Sequence, residues 1–328
     1  MQRWTHLTDI PDDLTGSVVT LGNFDGVHRG HRAVLTRLLA RSREAGVPAV
    51  AVTFEPHPIA VLFPERAPAL IASLEQRLEL LADVGLDGVL VMEFTRDLAT
   101  WTPDRFVEEV FVDALNARAV VVGRDTRFGV RNSGDVDTLT TLGRRHGFDV
   151  EAITDEGETT SGEPGRWSST QVRTLLDAGD VAGADRVLGR PHAVAGTVVH
   201  GEHRGREIGY PTANLAQDSD GLVPADGVYA GWLVRPDLPT DDADHRLPAA
   251  ISVGTNPTFD GVRRTVEAYV LDRTDLDLYG ERVAVEFVEH LRPMLRFDGV
   301  EELVERMAVD VDQARSILTV RRTEPTGE

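Results

Sequence analysis

The chain has 328 residues, 54 acidic against 34 basic side chains for a formal net charge of −20, no cysteine and, read from end to end, no lysine. Without thiols there is no disulfide, thiolate nucleophile, iron–sulfur cluster or cysteine zinc site; without lysine there is no Schiff base, Walker A loop or lysine-dependent kinase site. The acidic excess argues against nucleic-acid partners, whose binding draws on phosphate neutralisation, yet local arginine clusters can still hold a small anion.

At about 150 residues per domain the length predicts two domains. The start, MQRWTHLTDIPDDL, has no cationic segment before an apolar one, and no apolar run approaches about 18 residues, so a cytoplasmic location without membrane association is expected.

In chain order, Ser17–Leu21 reads as a strand, followed by a Gly/Asn/Asp turn and a helix with apolar face Val34, Leu35, Leu38 and Leu39, ended by Gly46. Strands are predicted at 47–54, 88–94, 119–123 and 148–153, with helices at 74–83 and 103–115 and a polar loop over 154–165. This alternation predicts a parallel sheet covered by helices. Two short helices follow at 170–177 and 181–188. From Ala193 the pattern changes to short Val- and Tyr-rich runs broken by Gly, Pro and Asn, predicting five or six strands of an antiparallel barrel and then a helix over 300–317. The domain boundary is placed near residues 186–192, where Arg190-Pro191 breaks the helical pattern, giving 1–186 and 187–321, with 322–328 and the acidic stretch Pro236–Asp244 expected to be disordered.

The first candidate site is Gly22-Asn23-Phe24-Asp25-Gly26-Val27-His28-Arg29-Gly30-His31, between the first strand and the first helix. In an open α/β sheet that junction is where ligands bind, and a helix N-terminus offers free N–H groups and a positive dipole end. His28 and His31 share one side of the first turn, with Gly30 allowing close approach. A zinc pair or two solvated surface histidines are the bland alternatives. Trp167-Ser168-Ser169-Thr170-Gln171-Val172-Arg173 supplies three hydroxyls and a cation at another helix start, either a phosphate clamp or an ordinary cap.

In the second half, Gly196–Arg206 forms a Gly-rich turn after a strand, where backbone N–H groups of Gly201 and Gly205 together with Arg206 can face phosphates. Thr212 and Asn214 point to one side of an extended segment, a hydroxyl and an amide oxygen suited to Mg²⁺. Glu267 is a lone carboxylate inside an apolar run; burial would raise its pKa toward that of a base, unless it forms a salt bridge to Arg263 or Arg264. His200 and His203 repeat the i, i+3 spacing with no sign of a metal site.

These segments resemble the bifunctional bacterial riboflavin kinase/FAD synthetase family, whose first half belongs to the His-x-Gly-His nucleotidylyltransferases. The resemblance extends through Thr53–Pro58 and Val122–Gly129 in the first half, and through Tyr210–Asn214, Asp226–Ala230, Ser252–Phe259, Glu267, Leu291-Arg292 and Arg296-Phe297 in the second. The family more often has an aromatic residue where Thr126 stands.

The resemblance implies an N-terminal Rossmann-like nucleotidylyltransferase domain with a parallel sheet, and a C-terminal six-stranded antiparallel β-barrel of riboflavin kinase type with a terminal helix. It implies phosphorylation of riboflavin to FMN by Mg²⁺–ATP and adenylylation of FMN to FAD with release of pyrophosphate. In the adenylyltransferase, ATP would meet Gly22, Asn23, Phe24, Asp25, His28, His31, Asp125, Ser168, Thr170 and Arg173, and the flavin Phe54, His57 and Phe128. In the kinase, ATP would meet Gly201, Gly205, Arg206, Thr212 and Asn214, and the flavin Asn256, Glu267 and Arg296, with Glu267 activating the ribityl 5′-hydroxyl. Two rivals stay open: an adenylyltransferase of another substrate with an inactive barrel, and a non-catalytic flavin-binding protein. Whether the chain forms a homo-oligomer is likewise left open.

Overall fold

Four of the strands are almost uninterrupted runs of Val, Ala and Leu, the composition of strands covered on both faces rather than one. A computed structural model describes residues 1–154, 157–158, 164–165, 167–200, 209–216, 218–258 and 261–323. The backbone divides into two units, Met1–Ser169 and Thr170–Glu328.

The first unit contains β1 (Gln2–Trp4), β2 (Ser17–Leu21), α1 (Arg29–Ala45), β3 (Ala49–Glu55), α2 (Pro58–Leu62), α3 (Leu74–Val84), β4 (Gly88–Glu93), α4 (Pro103–Phe106), β5 (Ala117–Gly123), α5 (Val136–His146) and β6 (Asp149–Ile153). Beyond α4 the predicted helix widens into a π-helix over Val107–Ala114. The six strands form one parallel sheet in the order β1-β4-β3-β2-β5-β6. Alternate side chains feed two cores. Val19, Leu21, Val50, Val52, Val120 and Val122 pack with Phe106, Phe111 and Leu139. Val18, Ala51, Val89, Val91 and Val121 pack with Leu35 and Leu38 of α1 and Leu78 and Leu81 of α3. The chain winds outward from β2 through β3 to β4, then crosses to β5 on the other side, which makes the β2/β5 edge the topological switch point.

Two details differ from expectation. β1 extends the sheet by three residues, too few for a periodic signal. The expected polar loop carries a two-residue antiparallel pair, β7 (Gly157–Glu158) and β8 (Pro164–Gly165).

The second unit holds the remainder of α6 (Ser169–Asp177), then α7 (Val181–Leu188), β9 (His192–Val199), β10 (Thr212–Leu215), β11 (Gly227–Val234), β12 (Arg246–Thr258), β13 (Gly261–Val270), β14 (Arg282–Arg292) and α8 (Val300–Thr323). Its strands close into the expected six-stranded antiparallel barrel, in the order β10-β13-β12-β11-β14-β9. Tyr229, Leu233, Ile251, Val253, Ala268, Val285 and Phe287 are buried along alternating positions. α8 packs Ala314 and Leu318 against Ala230, Trp232 and Val288, the other face of the strands. A buried carboxylate on α8, Asp310, receives Arg292 Nε (3.0 Å) and Nη2 (2.6 Å) and Arg306 Nε (3.1 Å), fastening the helix to the end of β14.

The expected disorder of the acidic stretch needs correction. Pro236–Asp244 is a run of turns in which Arg273 donates to Asp244 at 2.6 Å and His245 Nδ1 lies 3.0 Å from the Leu238 carbonyl. Hydrogen bonding from Arg273 holds the Asp244 carboxyl below the usual carboxylate range. The terminal helix runs on to Thr323, past its expected end at Ile317, and residues 324–328 lie outside the described set.

His192 is buried on β9, where its Nε2–H donates to the Leu222 carbonyl at 2.6 Å. Burial, with a further push from Arg190, lowers its pKa to about 4. The fold thus keeps neutral a ring that the unfolded chain protonates below about 6.5, so its contribution is fully present above that pH and falls away toward pH 4. We expect wild type to lose stability relative to His192→Gln, by up to about 1.4 kcal/mol per pH unit, in urea unfolding between pH 6.5 and 4.5. A stability difference independent of pH would contradict this assignment.

Candidate active sites

The turn joining β2 to α1 is conformationally unusual. Phe24 (φ 50°), Gly26 (φ 78°) and Val27 (φ 39°) all lie in the left-handed region. For a bulky or β-branched side chain this costs about 1–3 kcal/mol, and such residues persist where surrounding structure over-determines them. That support is visible. The buried Asp25 carboxylate accepts from the backbone N–H groups of Ile71 (3.0 Å) and Ala72 (3.2 Å), pinning the turn to the segment before α3. A Cβ on Gly26 would lie 2.9 Å from the Ile71 side chain, so glycine is needed there for space as well as for φ.

His28 is the N-cap of α1, its Nδ1 accepting from the His31 backbone N–H at 3.3 Å. An accepting Nδ1 puts the proton of the neutral ring on Nε2 and makes that atom a donor. The two imidazoles stack with centroids 3.7 Å apart, and Phe24 presents its edge to His31 at 5.3 Å. Both rings are therefore held at a helix N-terminus, beside the positive end of the dipole. Ser169 Oγ donates to the Asp25 carbonyl at 2.9 Å, and the Arg29 guanidinium lies 5.9 Å from the Trp167 ring. These contacts bring 167–169, with half-buried Ser168, to the same turn. Thr170 and Arg173 belong to the second unit.

The predicted flavin residues lie at the ends of β3 and β5. His57 caps α2, its Nδ1 accepting from Ile59 N–H at 3.2 Å, and its Nε2 lies 3.4 Å from the Asn23 side-chain amide. Phe54 is half-buried, edge-on to Phe94 at 5.5 Å. Phe128 is sunk in the core, 6.0 Å from Phe106. Gly22 is shielded by the Phe24 ring, and Asp125 is exposed just after β5.

A buried residue that sequence reasoning missed joins these loops. Arg77, on α3, donates from Nη1 to the Asn23 carbonyl (2.8 Å) and from Nη2 to the Phe54 carbonyl (3.3 Å) and Glu55 Oε2 (2.7 Å). The available signal was its place in the stripe Leu74, Arg77, Leu78, Leu81, where a cation occupies an apolar position.

In the second unit, burial alternates along β13: Val266, Ala268 and Val270 turn inward, leaving Glu267 on the outer face. Glu267 is thus half-buried, which corrects the expectation of a buried carboxylate. Its register partners are Asn214 on β10 and Ser252 on β12. Asn214 Nδ2 donates to Thr212 Oγ1 at 3.2 Å, so the three polar residues meet on one outer patch. Arg264, one of the alternative ion-pair partners, instead donates to Asp226 at 3.0 Å. Arg296 is exposed between β14 and α8, and in that loop Met294 Sδ lies 4.0 Å from Ser252 Oγ. Gly201, Gly205, Arg206 and the side chain of Asn256 fall outside the described residues.

The donor set suits Mg²⁺. With Nδ2 of Asn214 turned to Thr212, the amide oxygen and the threonine hydroxyl remain as hard oxygen ligands. Among the described residues no group of three or more His, Asp or Glu could hold a metal, so such an ion would take its other ligands from nucleotide phosphates and water.

A paired-histidine helix start at the switch point of a parallel sheet, carried in one chain with a barrel bearing a hydroxyl–amide–carboxylate patch, defines a two-module phosphate-handling transferase. Comparison with known proteins agrees: residues 10–169 match the family model for FAD synthetase and residues 188–318 that for riboflavin kinase. The chain is 37% identical over 311 residues to the bifunctional riboflavin kinase/FMN adenylyltransferase of Escherichia coli strain K12, covering 94% of this chain and 95% of that protein. It is 39% identical over 318 residues to the protein of that description from Pseudomonas fluorescens, covering 97% and 98%. A crystal structure described as a macrolide-efflux protein from Streptococcus pneumoniae superposes with a TM-score of 0.83 at 31% identity, covering 95% of this chain and 98% of that one. Efflux is the description of that protein; among the described residues here, no helix is long and apolar enough to cross a membrane.

The chain belongs to the bifunctional riboflavin kinase/FMN adenylyltransferase family. Its N-terminal half is the FMN adenylyltransferase and its C-terminal half the riboflavin kinase, with ATP as substrate and FMN and FAD as products.

Proposed function

We propose that the two activities run at two separate sites whose chemistry follows from their nucleophiles, with functional modules spanning 1–186 and 187–321. At the first site an FMN phosphate oxygen attacks the α-phosphorus of ATP and pyrophosphate leaves. The nucleophile is already anionic at neutral pH, so the site needs orientation and charge stabilisation, not a base. His28 and His31 donate to the ATP phosphates with Ser168 beside them. Gly22, Asn23, Phe24 and Asp125 frame the nucleotide, and Asp25 acts by holding the turn in shape. Phe54 and His57 face the flavin, with Phe128 supporting them from the core. For Thr170 and Arg173, as phosphate partners, the proposal rests on the family resemblance alone. The stacked, helix-capping pair His28–His31 carries this reading.

At the second site a primary alcohol of riboflavin attacks the γ-phosphorus of ATP, ADP leaves, and the alcohol's proton must be removed. Glu267 is the base, Thr212 and Asn214 hold the metal–nucleotide complex, and Arg296 and Asn256 face the flavin. Gly201, Gly205 and Arg206 contribute N–H groups and a cation to the phosphates. Bound Mg²⁺ supplies neutralisation of phosphate charge. The strand register that sets Asn214 against Glu267 carries this reading. The enzyme works on free riboflavin, FMN and ATP in the cytoplasm, with no nucleic-acid or membrane partner.

A chromatographic time course with riboflavin, ATP and MgCl₂ should show FMN first and FAD afterwards, with pyrophosphate matching FAD. Excess EDTA should stop FMN formation. Undiminished FMN production in EDTA would remove the metal role from Thr212 and Asn214.

A further inference from the structure

We infer that Arg77 is a positioning residue for adenylyl transfer, setting the distance between the loop that holds ATP and the loop that holds the flavin. The inference rests on the assignment of the first site above and adds a residue that touches neither substrate.

The two loops leave the sheet at the ends of neighbouring strands, β2 and β3. Each is stiffened on its own side: the β2 loop by Asp25 bonding to the backbone of Ile71 and Ala72, and the β3 loop by His57 capping α2. What ties one to the other is small. Thr53 Oγ1 donates to the Asn23 carbonyl at 3.3 Å, and the Asn23 amide lies 3.4 Å from His57 Nε2. Arg77 makes the strongest link, because its planar fork spans both loops at once, one arm on Asn23 and the other on Phe54 and Glu55. A lysine has no fork and can satisfy one loop or the other.

The local chemistry argues against stability as the reason for this residue. Arg77 is buried to 2% exposure, and its Nε lies in the interior with no hydrogen-bond partner. An orphaned buried donor weakens a fold, and a buried ion pair is weak evidence for stability, although removing Arg77 alone leaves Glu55 and two carbonyls without their donor. Arg77 shares its helix stripe with Leu74, Leu78 and Leu81, where methionine would extend the apolar face. Its carbonyl partners belong to Asn23, in the β2 loop, and Phe54, at the end of β3 where the flavin loop begins. Rate in an adenylyl transfer without a base depends on the attacking oxygen being aligned with the α-phosphorus, and a misplacement of about 1 Å can cost about 100-fold.

The test compares Arg77→Met and Arg77→Lys with wild type in the full-length chain, measuring kcat and KM for FMN and for ATP in FAD synthesis. Riboflavin phosphorylation by the same molecules serves as the control for folded, active protein. We expect Arg77→Met to lower kcat of FAD synthesis about 10- to 100-fold with each KM changed less than about threefold, Arg77→Lys to recover part of the loss, and kinase kcat to hold at a temperature below each variant's thermal midpoint, which falls in Arg77→Met because its partners are left unpaired. Unchanged kcat, a rise in KM for FMN alone, or a parallel loss of kinase kcat would each overturn the inference. A failure of the site assignment itself would look different: His28→Ala with His31→Ala would then leave FAD synthesis intact.

Discussion

Glu267→Gln abolishes FMN formation from riboflavin, by about 100- to 10,000-fold, while conversion of supplied FMN to FAD continues at the wild-type rate. The size is that of losing a general base from the transition state. Glutamine keeps the shape and hydrogen-bonding reach of glutamate but cannot accept a proton, and Glu267 sits half-exposed on the outer barrel face, where the substitution leaves the inward core of Val266, Ala268 and Val270 untouched. Asn214 and Thr212, its neighbours across the strand pair, remain to hold nucleotide. KM for ATP therefore stays close to wild type as kcat collapses, the split expected when an interaction made in the transition state is removed. Equal loss of both activities would mean that the substitution unfolds the chain or that one site serves both reactions.

The converse variant, His28→Ala with His31→Ala, stops FAD production and makes FMN the end product. Donors aimed at developing phosphoryl charge are worth about 100- to 1,000-fold each, and the stacked pair acts as a unit, so the double variant should lose at least about 1,000-fold without simple additivity. Some stability goes as well, since His28 caps α1 through its Nδ1 and a lost cap costs about 1 kcal/mol. His28→Asn with His31→Ala separates the two effects: asparagine restores the cap, and FAD synthesis should remain lost. Recovery of FAD synthesis in that variant would reduce His28 to a structural cap.

Contiguous features of this chain were legible before any coordinates. The His-x-Gly-His turn reads directly, because strand, glycine-rich turn and helix start are adjacent in sequence and the chemistry is local. The barrel reads from the alternation along 193–201, 227–234 and 281–291, and Thr212 with Asn214 from a two-residue period. Features made by distant pairings were hidden. Glu267 looked buried because its run is apolar, yet it lies on the outer face of the barrel and stays half-open there. Pro236–Asp244 has the composition of a disordered segment, and the cation that orders it, Arg273, comes from beyond β13. Arg77 resembles an interruption of an apolar stripe, since nothing local shows that the Asn23 and Phe54 carbonyls wait above it. Asp25 stands inside the motif, and its buried carboxylate bonds to the backbone of Ile71 and Ala72.

The central claim is that two self-sufficient sites in one chain pass free FMN from one to the other. Mixing the Glu267→Gln protein with the His28→Ala/His31→Ala protein, and following FAD formation from riboflavin and Mg²⁺–ATP, tests it most directly. Neither protein alone makes FAD from riboflavin; the mixture should do so, with FMN appearing first. A mixture that makes FMN but no FAD, while the Glu267→Gln protein still converts added FMN, would contradict transfer through solution, and a mixture that makes neither would contradict the residue assignments.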